Sequence, residues 1–208
     1  MGRVTIDDLM DVVQEETTED MLKMAGTHED ELITRSAFKS LVLRLPWLLA
    51  ALLGLLLSGA IYHYFEQHLA IVAILAPFIP VIGGMSGNTG VQSATIMVRG
   101  LATGQIDINR YLSITLKEIR SGILLGIVLG IIIGLAVVLI TGNHQLAKVV
   151  GIAVLVAIIW ASIVGIMIPA ILARMGKDPA VATGPVVTSL NDAVSALIYI
   201  FVAYLLLM

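Results

Sequence analysis

Five stretches of this chain are each long enough and apolar enough to cross a lipid bilayer: Leu45–Phe65, Ala70–Val98, Ser121–Ile140, Ala147–Ala173 and Pro185–Met208. The hydrocarbon layer is about 30 Å thick and a helix rises about 1.5 Å per residue, so about 20 mainly apolar residues make one crossing. No water at that depth can satisfy backbone N–H and C=O groups, so such a segment must close its hydrogen bonds within itself. The expected fold class is an all-α integral membrane protein with five transmembrane helices. Composition agrees, because 58% of the 208 residues are hydrophobic and 13% charged, more apolar surface than one soluble core can use. Cysteine is absent, which excludes disulfides, thiolate metal sites and cysteine nucleophiles. Met1–Thr18 has no signal-peptide core, so insertion falls to the body's own apolar segments.

Charge divides the molecule. Ten of the fifteen acidic residues, Asp7 to Glu31, lie in the first 31 positions, ahead of a nearly uncharged body. If the five spans alternate, eleven Lys and Arg share the side of the N-terminus: Arg3, Lys23, Arg35, Lys39, Arg44, Arg99, Arg110, Lys117, Arg120, Arg174 and Lys177. Only Lys148 lies opposite. The excess of positive residues in cytoplasmic loops predicts a multi-pass protein of the plasma (inner) membrane, N-terminus cytoplasmic and C-terminus outside.

Two spans carry unusual punctuation. Pro77, Pro80, Gly83, Gly84, Gly87 and Gly90 crowd the second, which predicts a helix broken at membrane depth, a feature tolerated where protein or a wet cavity surrounds it. Gly122, Gly126, Gly130 and Gly134 recur every four residues in the third, a smooth stripe for close packing of another helix.

Asp192 is the one acidic residue inside these five windows. A carboxylate near the bilayer centre costs at least about 2.5–3.5 kcal/mol on insertion scales, so it faces a cavity or a partner and marks function. As a helix cap it would leave a segment of about 24 Å, too short to span; a helix starting at Pro185 reaches about 36 Å and holds Asp192 about 10 Å inside. Thr188, Asp192, Ser195 and Tyr199 follow at steps of four, three and four on one face, with Asn191 beside them. Asn88, Gln92, Thr95 and Arg99 repeat that spacing in span two, where Arg99 fits a headgroup-seeking arginine at the cytoplasmic end. The two stripes predict two walls of one aqueous path. One carboxylate among amide and hydroxyl oxygens, without His or Cys, suits a hard cation. A two-fold dimer would bring two Asp192 side chains to a divalent ion. These residues alone leave magnesium, calcium and manganese open.

The order Gly83-Gly84-Met85-Ser86-Gly87-Asn88-Thr89-Gly90-Val91-Gln92-Ser93-Ala94-Thr95, then Val98-Arg99-Gly100-Leu101-Ala102-Thr103-Gly104, then Asp178-Pro179-Ala180-Val181-Ala182-Thr183-Gly184-Pro185 ahead of Asp192, resembles the transmembrane domain of the MgtE family of magnesium channels. The likeness extends over essentially the whole chain, including Arg44-Leu45-Pro46-Trp47. It implies a homodimer of five-helix subunits, a pore formed by spans two and five, and Asp192 as the pore aspartate. It also implies that Asp178, which by itself reads equally well as a turn residue before Pro179, helps bind regulatory magnesium. The expected partners are the bilayer, a second copy of the chain and magnesium, both transported and regulatory, with manganese or cobalt as further ions and no nucleic acid.

The resemblance implies a division into residues 1–39, an acidic connecting helix of plug type, and residues 40–208, the five-helix pore domain. Gly2 to Val13 resembles the last strand and helix of a CBS domain, starting in mid-fold, which reads as a shortened chain. Residues 1–39 cannot bury a core alone, so a helix with mobile flanks is expected. Glu15, Glu16, Glu19 and Asp20 set like charges at i,i+4, an arrangement that a cation would relieve, and the resemblance makes them candidates for the regulatory metal beside Asp178.

Three other functions compete. His63, Glu66 and His68 match no metal spacing and read as a solvated loop. An enzyme is not expected: an intramembrane aspartyl protease needs a second aspartate, and no Ser-His-Asp or metal-protease spacing occurs. A sodium- or proton-coupled exchanger is the serious alternative, because broken helices and a lone carboxylate serve exchange as well as conduction. A membrane scaffold without transport is the third.

Overall fold

The computed structural model describes residues 5–66, 72–107 and 111–207. Arg3, His68, Arg110, the strand-like start of the head and the first residues of the expected second span lie outside them. All regular structure among the described residues is helical: α1 (Ile6–Met24), α2 (Asp30–Ile33), α3 (Ala37–Glu66), α4 (Val72–Leu75), α5 (Ile79–Ala102), α6 (Tyr111–Thr141), α7 (His144–Arg174) and α8 (Pro185–Leu207), with single 3-10 turns at Ala76–Phe78 and Pro179–Ala182. Five of these helical segments have the length and hydropathy to cross a membrane, as expected.

α7 lies at the centre, against α5, α6 and α8. Its Val150, Val154, Ala157 and Ile158 are fully buried in one core with Leu75, Ile82 and Tyr199. α6 and α7 form a hairpin. Gly142, with φ +67, turns the chain out of α6 through a conformation glycine adopts without strain, and Asn143 Oδ1 then caps α7 by accepting from the N–H groups of Gln145 and Leu146, both at 3.0 Å. The expected glycine stripe forms this seam: a Cβ on Gly130 would stand 2.7 Å from the Gly151 carbonyl oxygen, and one on Gly126 2.6 Å from Leu155. α3 packs chiefly on α8, where Gly54 meets Ser189 so closely that a Cβ would stand 2.5 Å from the Ser189 Cα. Ser189 Oγ donates to the Ala50 carbonyl at 2.9 Å across the same crossing. Leu48, Leu52, Leu53 and Leu56 on α3 stay exposed, as a lipid-facing surface requires.

Two expectations change. The break in span two falls at the Ala76–Phe78 turn, where Pro77 sits, and α5 then runs unbroken through Gly83, Gly84, Gly87 and Gly90. Pro80 occupies the first turn of α5, where its missing donor leaves no helical bond unmade, and the glycines serve helix packing instead. The third helix begins at Tyr111, ten residues ahead of the expected Ser121, because charges at Lys117, Glu118 and Arg120 end a hydropathy window without ending a helix. Asp192 is therefore not the only acidic residue within a spanning helix: Glu118 lies in α6 and is 6% exposed.

Replacing Gly130 by Val should destabilise the protein by about 1–3 kcal/mol through overpacking against the Gly151 backbone, seen as a lower unfolding midpoint in detergent. An unchanged midpoint would contradict this close seam.

Candidate functional site

α8 starts at Pro185, where proline's fixed φ suits a first helical residue, so Asp192 lies inside the helix rather than at its cap. Its carboxylate meets α5 at the point of least bulk. A Cβ on Gly83 would stand 3.4 Å from Asp192 Oδ1, and one on Gly87 3.7 Å from Thr188 Cγ2. At Gly84 a Cβ would meet nothing within 4 Å. Asn88 and Gln92 continue this strip of α5 as exposed amides, with half-buried Thr95 beyond. Thr188 Oγ1 donates to the carbonyls of Gly184 and Pro185, and Thr95 Oγ1 to that of Val91. With their protons used inside the helices, both hydroxyls retain acceptor lone pairs.

The remaining predicted residues do other work in this chain. Ser195 is 1% exposed and its Oγ lies 2.6 Å from that of Ser86, joining α8 to α5. Tyr199 is fully buried and donates to the Leu75 carbonyl at 3.1 Å. Asn191 is fully buried against Gly90, and its amide N and O have no hydrogen-bond partner among the described residues. The continuous stripe drawn on span five thus divides: Thr188 and Asp192 keep accessible surface, while Asn191, Ser195 and Tyr199 turn inward. Regular spacing fails to separate these sets because buried polar side chains also join helices.

Three residues near the site went unassigned from sequence. Tyr62 of α3 lies within electrostatic reach of the Asp192 carboxylate. Ser86 and Ser93 on α5 form a second small polar line, seven residues apart and so on nearly one face, which was a legible signal for helix pairing. Ser93 Oγ donates to Glu118 Oε2 at 3.1 Å.

At the loop before α8, the head docks on the base of that helix. The Met24 carbonyl lies against Gly184, and Gly26 against Pro185 and Trp47. α1 starts with a capping box in which Thr5 and Asp8 bond reciprocally. Lys23 Nζ sits between Glu19 Oε1 at 2.5 Å and Asp178 Oδ2 at 2.6 Å, so the cation that the acidic run calls for comes from its own helix. Asp178 Oδ1 also accepts from the Ala180 N–H at 2.8 Å, which serves the turn reading too. Glu16 and Asp20 face Asp178 across a cavity of about 780 Å³, whereas Glu15 lines a separate groove with Asp11 and Asp30. Among the described residues, no three carboxylate or imidazole groups converge to hold one metal ion. Burial pushes the Asp178 carboxyl up, but its bonds from Lys23 and Ala180, with the Lys23 charge, outweigh this and hold it below the ordinary carboxylate range. Burial and then the Asp178 charge push Asp20 above that range.

A family model described as a divalent cation transporter, MgtE, matches residues 79–202, which include α5 to Val202 of α8. The magnesium transporter MgtE of Bacillus subtilis is 38% identical over 203 residues, 98% of this chain and 45% of that protein. Magnesium transporter MgtE of Thermus thermophilus is 37% identical over all of this chain and 46% of its own length. Magnesium transporter MgtE of Enterococcus faecalis is 36% identical over 98% of this chain and 45% of its own length. The chain thus spans about half the length of these curated relatives.

The two pKa directions give docking of α1 a pH signature. As pH falls from neutral, Asp20 protonates first and relieves repulsion with Asp178; the Lys23–Asp178 pair, fully formed above the ordinary carboxylate range, is lost only as pH falls through the depressed Asp178 value. Disulfide trapping between paired cysteines, placed on α1 and on the loop before α8 of this cysteine-free chain, should be faster for Asp20→Asn than for wild type at neutral pH, and slower for Lys23→Gln. Equal trapping in all three would contradict the ion-pair account.

Proposed function

Because the chain belongs to the MgtE family of divalent cation transporters, we propose that it passes hydrated magnesium into the cytoplasm, as a channel, down the electrochemical gradient. The path runs beside α5 and α8 of two copies of the chain. The observation that carries this reading is Asp192, a carboxylate inside a spanning helix, set against Gly83 and next to the open flank of Gly84. Side chains there would fill the space that an ion with its water shell needs. Magnesium dehydrates reluctantly, so contact through its waters, made by one carboxylate per subunit and flanking amide and hydroxyl oxygens, suits it. Two-fold pairing supplies formal charge −2 at the level of Asp192. A membrane potential, negative inside, adds about 4.6 kcal/mol per divalent ion per 100 mV, so inward passage needs no nucleotide.

Asn88, Gln92, Thr95 and Thr188 line this path with Asp192. Asn191, Ser195 and Tyr199 support its wall from behind. The N-terminus faces the cytoplasm, where α1 acts as a plug. Regulation follows from the cation at its base: rising internal magnesium competes with Lys23 for Glu19, Asp178 and the neighbouring Glu16 and Asp20, with Glu15 at the margin, and favours closure.

A sodium- or proton-coupled exchanger is the second reading, favoured by Glu118 as a further carboxylate within a spanning helix. Uptake into liposomes with magnesium as the only gradient separates the two. A channel gives uptake under those conditions, and Asp192→Ala should lower it at least about tenfold, equivalent to about 1.4 kcal/mol. Strict dependence on a sodium or proton gradient would favour exchange. Full uptake in an inserted Asp192→Ala protein would remove Asp192 from the path. Repeating the assay with manganese and cobalt reads the selectivity.

A further inference from the structure

Glu118 has no part in the path described above, yet it is the most deeply buried acidic side chain among the described residues, at 6% exposure. It lies at a three-helix junction. On α6, Tyr111, Ile114 and Glu118 recur at steps of three and four and so share a face. Tyr111 and Ile114 pack on the cluster of Met97 from α5 with Ile166 and Ala170 from α7, while Arg174 at the end of α7 lies over the Tyr111 ring at 4.0 Å. Glu118 comes next, about 10 Å into α6 from Tyr111, and reaches Ser93, which is 2% exposed. One turn further, Gly122 passes to the α7 seam, where a Cβ would stand 2.6 Å from Ser162 Oγ. The Ser93–Glu118 bond is therefore the innermost tie in the short contact between α6 and α5.

Its position on α5 matters. Ser93 follows Gln92, about 100° round the helix from the exposed strip. α5 is also held by the close approach of Gly165 of α7 to the Gly90 carbonyl and Ser93 and of Asn191 of α8 to Gly90, and by the hydrogen bond between Ser86 and Ser195 of α8. Ser86 and Ser93 lie seven residues apart and bond to different helices, so the two bonds together fix the rotation of α5 about its axis, and the Glu118 bond is the tie to α6. A carboxylate is among the least favoured groups to bury at such a depth, and this one accepts from a serine on the helix that carries Asn88 and Gln92.

We propose that Glu118 is a positioning residue for the ion path: through Ser93 it sets the rotation of α5, and with it where Asn88, Gln92 and the open flank of Gly84 stand relative to Asp192. This rests on the reading of α5 as a wall of the path. Glu118 touches no ion; its effect passes through the helix.

The test compares Ser93→Ala, Glu118→Ala, the double variant, Glu118→Gln and Asp192→Ala in liposomes, measuring magnesium uptake per inserted protein and the magnesium-to-calcium uptake ratio. Loss of the bond should lower magnesium uptake on the order of tenfold in each single variant and change the ion ratio. The double variant should fall no further than Glu118→Ala, since both changes remove one tie. Glu118→Gln, whose amide oxygen accepts the same bond, should recover uptake to within about twofold of wild type. Should Glu118→Ala fail to insert, Ser93→Ala and Glu118→Gln decide alone. Wild-type uptake in Ser93→Ala, multiplied losses in the double variant, or lower uptake at an unchanged ion ratio would overturn the proposal. Glu118→Gln as deficient as Glu118→Ala would also overturn it, pointing instead to a role for the charge or its proton. Full uptake by Asp192→Ala strikes the pore reading itself, whereas its loss beside unaffected Glu118 variants strikes only this one.

Discussion

The antiparallel crossing of α5 and α8 depends on glycine. Gly83, Gly87 and Gly90 bring the two backbones close enough for Thr188, Asp192 and Asn191 to meet α5 directly. The same absence of side chains leaves open space around an intramembrane carboxylate. In a bilayer no hydrophobic force drives helices together, so close van der Waals approach and interhelical hydrogen bonds carry association. Here both come from one run of small residues, Gly83 to Ser93. α7 completes the arrangement from behind through Gly165, and α3 flanks α8 through Gly54 and Ser189. The fold therefore answers two demands on one helix: tight contact on three sides and room on the fourth.

Much of this was legible beforehand. Five crossings followed from segment length and backbone hydrogen bonding, the start of α8 at Pro185 from the need to span, and the α6–α7 seam from a four-residue glycine repeat. Asp192 stood out because a charge in an apolar helix needs a reason. What the sequence withheld was of two kinds. Boundaries set by helical propensity rather than hydropathy were missed, which hid Glu118 behind the charges at Lys117 and Arg120. Partnerships between distant segments were missed too. Lys23 and Asp178 are 155 positions apart, and nothing local says that the ammonium needed by Glu19 also reaches the base of α8. The polar stripe on α8 was partly legible: its spacing identified hydrophilic positions, but which of them face a neighbouring helix depends on where α5 and the Leu75 turn lie.

The acidic head and the membrane body meet through a small set of groups that compete for the same charges. Asp178 serves at once as cap of the Pro179 turn and as acceptor for Lys23, so the loop before α8 and the end of α1 are mechanically one unit. Asp20, held nearby without a comparable partner, opposes that union. That balance of charges sits against the first residues of the helix that carries Asp192.

The topology also bears on how the protein is made. α6 and α7 are joined by a two-residue turn and can pair as soon as both have left the ribosome, a local event with little chain to close. α3 has no such companion. Its seat is on α8, with α5, α6 and α7 intervening in the chain, so it must wait in the bilayer without that partner while they are translated. Its leucine-rich surface and its position beyond the central core suit that wait, and its own seat forms only when Ser189 arrives at Gly54.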